Sequence, residues 1–436
     1  MRQHVRLIAA TALLVAALGF FGYRVYDYQR ARRQRAVVAD EHPVVAEARA
    51  LHARGDSDKA LALLSAAHRR DPSDETVALE YATVLYATAN YEAAEQLVSQ
   101  LLAADPGFAR ALALRGMIRR DSGRLEEGIA DLEAAAAAAT GADEVMFTYS
   151  LAHALLLRSA RELELTPTAQ ADMARAAELL QRAVELAPDR LDILSDLASL
   201  QQQRSLFKEA IELYGKLADL LPQDPGPLYA TAACYMSLND PASAAVAARA
   251  ALKRDPNCLE AATVLGLALH RLPADTVDEA EYEKALRTWW EQSEGSAHEP
   301  ALWLAELHLR RGDRERAEEV LRAGVADEEA HRRPPSPPIH EQLGRLLIET
   351  GREQEGRAEL AMAQDLRKTW KPVDRLVGYI EEKPAHSRDQ RLEVARLYGE
   401  LGWPEMGLPY LDPLLKSGRE DPEAAALAEE LRHAAD

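Results

Sequence analysis

The residue types that most often carry enzyme chemistry are present in this chain, but their spacing matches no catalytic motif. The sequence holds no G-x-x-x-x-G-K-[ST] or G-x-G-x-x-G phosphate loop, no H-E-x-x-H zinc motif and no G-x-S-x-G nucleophile elbow. The acidic pairs Glu126-Glu127 and Glu318-Glu319 are consecutive, so their side chains diverge on a helix and cannot share a proton. The sequence therefore predicts no catalytic site, and we expect a protein that is not an enzyme.

The twelve histidines and two cysteines are scattered along the chain. His153, His270 and His308 fall on predicted helices, where a surface or groove imidazole is the default interpretation. Cys234 and Cys258 have no metal-ligand spacing and are too few for a disulfide framework. We therefore expect no metal, no cofactor and no small-molecule substrate.

The charge is distributed unevenly. The formal net charge is −19, yet residues 1–35 contain seven Arg and only one Asp. From residue 36 onward, 45 Lys and Arg face 70 Asp and Glu. A body this acidic repels phosphate backbones and anionic lipid surfaces, so we expect no nucleic-acid partner.

The elements that position these residues follow a 34-residue repeat. Pro188, Pro222 and Pro256 are each 34 residues apart, and Leu191–Cys258 contains two successive copies of one unit. Both copies have leucine at position 4, alanine at positions 8 and 20 and proline at position 32. Aromatic residues are only 6% of the chain and β-branched runs are absent, which favours helices throughout.

This period and these positions resemble the tetratricopeptide repeat. The resemblance covers about residues 41–436 and implies two short antiparallel helices in each unit. We predict an all-α fold, a right-handed α-solenoid of about ten tetratricopeptide-like helix pairs, preceded by one N-terminal transmembrane helix. Units 1–8 are expected in residues 41–331, and further units with a capping helix in residues 339–436.

Residues 7–23 carry no charge and follow a short basic N-terminus, residues 1–6. A span of 17 residues is at the short end for a transmembrane helix, and we favour an uncleaved membrane anchor. A signal peptide cleaved after Gly19 and a buried helix of a soluble protein are the alternatives. Because no cysteine follows the apolar run, we do not expect a lipoprotein anchor.

Residues 24–40 form a basic juxtamembrane stalk. Its five arginines outnumber the two arginines and the α-amine ahead of the apolar segment, so the positive-inside rule slightly favours repeats on the cytoplasmic over the periplasmic side. The apolar segment, basic flank and repeat array together resemble bacterial membrane-anchored tetratricopeptide proteins. We therefore expect a single-pass protein of a bacterial inner membrane.

Four places depart from the regular period. Residues 160–172 add about twelve residues to unit 4, either as an inserted loop or as longer helices. Trp289 and Trp290 are adjacent on a helix, so one is expected in the core and the other is a candidate exposed anchor. Residues 332–338 are proline-rich and are interpreted as a stiff spacer, and residues 374–381 as a short extra helix.

In tetratricopeptide arrays, positions 2, 5, 9 and 12 of each first helix line the concave groove that holds a partner. The family's carboxylate clamp, which grips chaperone C-termini, is not matched, because Val45 and Arg49 occupy its positions in unit 1. Adaptable apolar and polar side chains stand at the other groove positions. The resulting candidates for contact with a protein or peptide are Arg49, Tyr86, Met117, Arg120, Tyr149, His153, Gln202, Tyr229 and Met236.

The sequence thus predicts a membrane-anchored protein that binds a segment of another protein in the groove and serves as a scaffold or assembly factor. An accessory subunit or diverged enzyme of cell-envelope polymer metabolism is the alternative in another class. A pocket with clustered acids and histidines of shifted pKa would favour that alternative. A soluble exported form, released by signal cleavage, changes the location but not the mechanism.

Overall fold

The computed structural model of the protein describes residues 42–161, 166–293, 298–330, 335–382, 387–416 and 421–435. Within these ranges the chain forms 21 α-helices and one 3-10 turn, and no strand. The predicted all-α class is confirmed. The described residues divide into two compact units, residues 42–200 and residues 201–435.

The helices alternate between the first and the second helix of successive antiparallel pairs. Those that begin in the first compact unit are α1 (Pro43–Ala53), α2 (Ser57–Arg70), α3 (Glu75–Ala87), α4 (Tyr91–Ala104), α5 (Ala109–Asp121), α6 (Leu125–Ala138), α7 (Ala142–Ala160), α8 (Pro167–Leu186) and α9 (Leu191–Gln203). The rest are α10 (Phe207–Leu220), α11 (Gly226–Ser237), α12 (Pro241–Arg254), α13 (Leu259–Arg271), α14 (Glu279–Gln292), α15 (Glu299–Arg310), α16 (Arg314–Ala330), α17 (Pro337–Glu349), α18 (Glu353–Glu382), α19 (Arg388–Glu400), α20 (Pro404–Lys416) and α21 (Pro422–Ala435).

Most pairs are closed by a tight turn in which position 15 of the repeat takes a left-handed backbone conformation. Glycine occupies this position in several units, for example Gly55 with φ +88°. Ala89, Ser205 and Asn239 stand at the same position with φ close to +60°. The repeat therefore imposes this conformation even on residues that carry a Cβ, for which it is unfavourable.

The two helices of a pair approach most closely where positions 8 and 20 face each other. A Cβ added to Gly116 would lie 2.9 Å from the carbonyl oxygen of Gly128, and one added to Gly356 would lie 2.5 Å from that of Gly344. Both distances are shorter than van der Waals contact. Small residues at these two positions are therefore required by close helix contact, as the sequence predicted.

Successive pairs are also joined by ion pairs that span about one repeat. Arg110 reaches Asp143 at 2.7 Å and Arg158 reaches Glu126 at 2.9 Å in the first compact unit. In the second unit, Arg249 Nη2 lies 2.6 Å from a Glu281 oxygen. Exposed pairs of this kind contribute about 0–1 kcal/mol each, so they fix register between neighbours more than they supply stability.

The departures from the regular period take a different form from the one predicted. In unit 4 the additional residues lengthen both helices, to 19 residues in α7 and 20 in α8, so the longer-helix alternative holds and the inserted loop does not. The Thr166 hydroxyl accepts a hydrogen bond from Ala169 N and caps α8 directly ahead of Pro167. Residues 162–165 of the predicted insertion lie outside the described residues.

The predicted extra helix at 374–381 is wrong as a separate element. These residues continue α18, which runs for 30 residues with Pro372 inside it. Trp370, Val373 and Ile380 are buried on one side of this helix, and their packing offsets the backbone hydrogen bond that the proline removes. The helix therefore passes through a residue that normally ends one.

The predicted proline-rich spacer at 332–338 is shorter than expected at its C-terminal end. Pro337 and Pro338 begin α17, because the first turn of a helix does not need their missing backbone donors. Ser336 is buried, and residues 331–334 lie outside the described residues.

The adjacent tryptophans both contact the core of the second compact unit. Trp289 is buried, as expected for one of the two. Trp290 is half-buried and packs against the same apolar cluster, so the interpretation of this residue as an exposed anchor is wrong. The helix lies deep enough between its neighbours for two of its sides to meet apolar groups.

The apolar segment 7–23 and the basic stalk 24–40 lie outside the described residues. Among the helices that are described, none combines the length and the apolar character that crossing a bilayer requires.

The close contact in unit 9 gives a prediction for stability. Gly356→Ala is expected to lower the free energy of unfolding by about 1–3 kcal/mol, because its new methyl group meets the Gly344 carbonyl at 2.5 Å. The matched control is Gly215→Ala in α10, which meets no atom within 4 Å and should be neutral or gain up to about 1 kcal/mol. Thermal unfolding followed by circular dichroism measures both, and equal melting temperatures would contradict the packing argument.

Candidate functional site

The first helices of neighbouring pairs contact one another directly. Such contacts join α1 to α3, α3 to α5 and α5 to α7 in the first compact unit, and α11 to α13 and α15 to α17 in the second. The backbones of second helices of neighbouring pairs approach less closely within the described residues, and long side chains such as Arg249, which reaches Glu281, span the gap. The first helices of each compact unit therefore form a layer, called here the first-helix layer, and all nine predicted contact residues lie on it.

Arg49 is the predicted contact residue of α1, and it is held by the next first helix. Its guanidinium donates two hydrogen bonds to one carboxylate oxygen of Glu80 on α3, at 2.9 and 2.7 Å. Glu80 is buried, whereas more than half of the Arg49 side chain is exposed. The arginine is therefore oriented by a buried carboxylate while its outer surface stays open.

Tyr86 and Arg120 share a carboxylate one pair further on. The Tyr86 hydroxyl donates to Asp121 Oδ2 at 2.6 Å, and Arg120 Nε donates to Asp121 Oδ1, also at 2.6 Å. Burial and the hydrogen bond to Asp121 raise the pKa of Tyr86, so the phenol stays protonated. The ring of Tyr86 is half-buried and its hydroxyl is fixed.

Tyr149 and His153 converge on another carboxylate of the same layer. Both the Tyr149 hydroxyl, at 2.7 Å, and His153 Nε2, at 2.8 Å, contact Asp196 Oδ2 on α9. The two rings pack edge to face with centroids 4.5 Å apart. Arg190 lies 5.8 Å from the Tyr149 ring centroid. Burial and the charge of Asp196 raise the pKa of Tyr149 above its usual range, so this phenol also stays protonated.

The remaining four predicted residues mainly support the packing of the layer. The Ser150 hydroxyl lies 3.6 Å from the sulfur of Met117, and Gln202 accepts a hydrogen bond from the Tyr214 hydroxyl at 2.8 Å. Tyr229 and Met236 pack against apolar clusters of the second compact unit. The structure therefore brings five of the nine residues into polar networks of the layer and uses these four mainly to support it. The five are Arg49, Tyr86, Arg120, Tyr149 and His153.

The carboxylates that organise the layer, Glu80, Asp121 and Asp196, were not among the predicted residues. Glu80 and Asp196 both occupy position 6 of their units, and Asp121 occupies position 13. Each position comes directly after one that lines the groove, and the structure places it against the preceding first helix. A search for acids one residue after the groove positions would have found all three.

His308 is fully buried, so its interpretation as a surface imidazole is wrong. It stands at position 11, which the repeat directs into the core. Neither ring nitrogen hydrogen-bonds to a described group, and the nearest carboxylate, Glu283, is 3.9 Å away. Burial lowers the pKa of His308 and keeps the ring neutral.

A second buried histidine lies between two carboxylates of the same compact unit. His340 Nδ1 contacts a Glu359 oxygen at 2.6 Å, and its Nε2 lies 3.4 Å from Glu328. Glu328 also accepts a hydrogen bond from Ser336 N at 2.8 Å and faces His298 at 3.5 Å. The hydrogen bond to Glu328 and the contact with Glu359 raise the pKa of His340. No three metal-ligating side chains come close enough to share an ion in the part of the chain that the structure describes.

This arrangement predicts a pH-dependent contribution to stability. Because the folded-state pKa of His340 is raised, its charged form stabilises the fold fully below its unfolded pKa of about 6.5. That contribution is lost as the pH rises through the folded-state value. His340→Gln should therefore lower the urea midpoint more at about pH 5.5 than at about pH 8.5. The exposed His433→Gln is the control, and a pH-independent difference for His340→Gln would contradict the assignment.

Comparison with known proteins finds one repeat family in two parts of the chain. Sequence models described as "Tetratricopeptide repeat" match residues 51–118 and residues 229–293. No curated protein matches the chain. Solved structures that are similar include the C-terminal part of a TPR repeat-containing protein from Cytophaga hutchinsonii, with 16% identity over 58% of this chain and 95% of that one, and a TM-score of 0.46.

Two further structures show the same kind of similarity. The pilF protein of Pseudomonas aeruginosa is 19% identical over 50% of this chain and 93% of its own, with a TM-score of 0.40. YrrB, described as a TPR protein with an unusual peptide-binding site, is 18% identical over 45% of this chain and 95% of its own, with a TM-score of 0.38.

Proposed function

Because the chain is a tetratricopeptide repeat protein, we propose that it is a non-catalytic scaffold or assembly factor that binds an extended segment of a partner protein along its first-helix layer. The repeat supplies the helix pairs, and the side chains of the first helices supply the contacts. We do not propose that the chain catalyses a reaction on its partner.

The observation that carries it is the fixed orientation of half-buried aromatic rings. Tyr86 and Tyr149 each present a ring at the layer while a carboxylate of the next first helix holds the hydroxyl. Orienting a side chain before the partner arrives reduces the entropy that binding must overcome. Tyrosine held in this way offers apolar area with few rotatable bonds, a property that favours binding surfaces.

We also propose that the chain is anchored in a membrane. Residues 7–23 contain no charge, and arginines flank them on both sides, as expected for a segment that anchors a protein in a membrane. We place the repeats on the cytoplasmic side, because five arginines follow the segment and two precede it. The acidic repeats would be repelled by anionic headgroups and so would stay available to a protein partner.

The binding layer is tested by site-specific photo-crosslinking in cells. Benzoylphenylalanine in place of Tyr149, on the first helix α7, should yield covalent adducts with a partner protein of defined mass. The same residue in place of Gln181, exposed on the second helix α8, is the control and should yield none. Equal adducts from both positions, or none from Tyr149, would show that the layer is not the binding surface.

The anchor is tested by cell fractionation of the full chain and of a variant lacking residues 1–23. We expect the full chain in the membrane fraction with its N-terminal mass intact, and the truncated chain in the soluble fraction. Protease added to spheroplasts should leave the repeats of the full chain uncut. Recovery of both chains in the soluble fraction would exclude the anchor, and digestion would place the repeats outside the cytoplasm.

A further inference from the structure

The turn between α13 and α14 borders a small cavity, partly open to solvent, that the repeat pattern does not account for. This turn comprises residues 272–278 and includes the 3-10 turn Ala274–Thr276, whereas α1 and α2 are joined by only residues 54–56. The cavity has a volume of about 130 Å³ and lies between this turn, the adjoining ends of α13 and α14, and α15. Leu269, Leu272 and Val277 are among the apolar residues that line it.

One wall of the cavity is held rigidly by aromatic contacts. Tyr282 is buried in the lining, and its hydroxyl lies 2.9 Å from His270 Nδ1. The His270 ring in turn stacks on Trp303 of α15, with centroids 3.9 Å apart and planes 6° from parallel. The cavity is therefore formed before any ligand arrives, which reduces the entropic cost of binding.

Helix α15 contributes one acidic and one basic side chain to the edge of the cavity. Glu306 and Arg310 lie four residues apart, both exposed, and neither makes a hydrogen bond or ion pair with any residue that the structure describes. The adjacent Arg311, by contrast, pairs with Glu279 at 2.8 Å and with Glu283 at 2.6 Å. A hydrogen-bond acceptor and a donor are thus both available beside a cavity that Leu269, Leu272 and Val277 line in part.

We propose that this cavity receives one aliphatic side chain, of about leucine size, from the partner segment, while Glu306 and Arg310 hold the main chain on either side of it. The inference rests on the proposed function and names the chemistry that the first-helix layer recognises. A carboxylate accepts from a backbone N–H and a guanidinium donates to a backbone carbonyl, so this pair satisfies both polar groups of an extended segment.

The volume of the cavity limits the size of the group that can enter it. Drug-sized molecules occupy pockets of about 300–1,000 Å³, which excludes them here. An engineered apolar cavity of about 150 Å³ in another protein holds benzene, so a space of this size fits a single hydrocarbon group. The opposite charges of Glu306 and Arg310 cancel at the edge, which favours an uncharged side chain over lysine or arginine.

The test uses random dodecapeptides displayed on phage and selected on the full-length chain in detergent. We expect the selected peptides to share one leucine, isoleucine, valine or methionine, and a glycine in its place should weaken binding about tenfold or more. Ala274→Leu, which fills the cavity from the exposed turn, should weaken the parent peptide to the same extent. Ala280→Leu is the matched control, since Ala280 is exposed on α14 outside the lining, and it should change the dissociation constant less than about twofold.

A second pair of variants tests the main-chain contacts without changing the turn. Glu306→Ala and Arg310→Ala remove the charged edge of the cavity, keep its apolar residues, and should each weaken peptide binding severalfold. Equal binding by the wild-type chain and Ala274→Leu, or selected peptides with a charged anchor, would overturn the cavity inference and leave the proposed function standing. Selection of no peptide by the full chain would overturn both.

Discussion

The rest of the structure depends on one steric constraint: the two helices of each pair must touch backbone to backbone. Where positions 8 and 20 are both glycine, as in Gly116 with Gly128 and Gly344 with Gly356, even a methyl group would meet a carbonyl oxygen. Alanine satisfies the constraint elsewhere, and Ala232 and Ala244 have no exposed surface. Because helices of about 13 residues are marginal alone in water, this contact and the burial around it are what make them form.

Close pairing has a second effect, since it leaves the first helices near enough for their side chains to interact across a repeat. Arg49 with Glu80, Tyr86 with Asp121, and Tyr149 with Asp196 are all contacts between neighbouring first helices. Arginines that reach a carboxylate about one repeat away link second helices as well, for example Arg249 with Glu281. In the first-helix layer, two tyrosine hydroxyls are held by carboxylates of a neighbouring first helix, which fixes aromatic rings along this surface.

The sequence predicted the features that a periodic pattern can encode. It missed those that depend on contacts with another helix or repeat unit. Helix pairing, the small residues at positions 8 and 20 and the terminal helix α21 all follow from the 34-residue period. The continuation of α18 through Pro372 could not be predicted, because local preference opposes it and only the packing of Trp370 and Ile380 decides the outcome. For the candidate site, the repeat position identifies side chains on the first helices, whereas the carboxylates that orient them belong to the next unit.

Folding shifts the pKa values of the two buried histidines, His308 and His340, in opposite directions. Unfolding exposes His308, whose lowered pKa returns to its ordinary value, so that histidine takes up a proton in mildly acidic solution. Unfolding also frees His340 from Glu328 and Glu359, and that histidine releases a proton. The two exchanges fall in different pH ranges: the His308 exchange lies mainly below about pH 6.5 and the His340 exchange mainly above it. The contribution of these two histidines to stability therefore peaks between the two ranges.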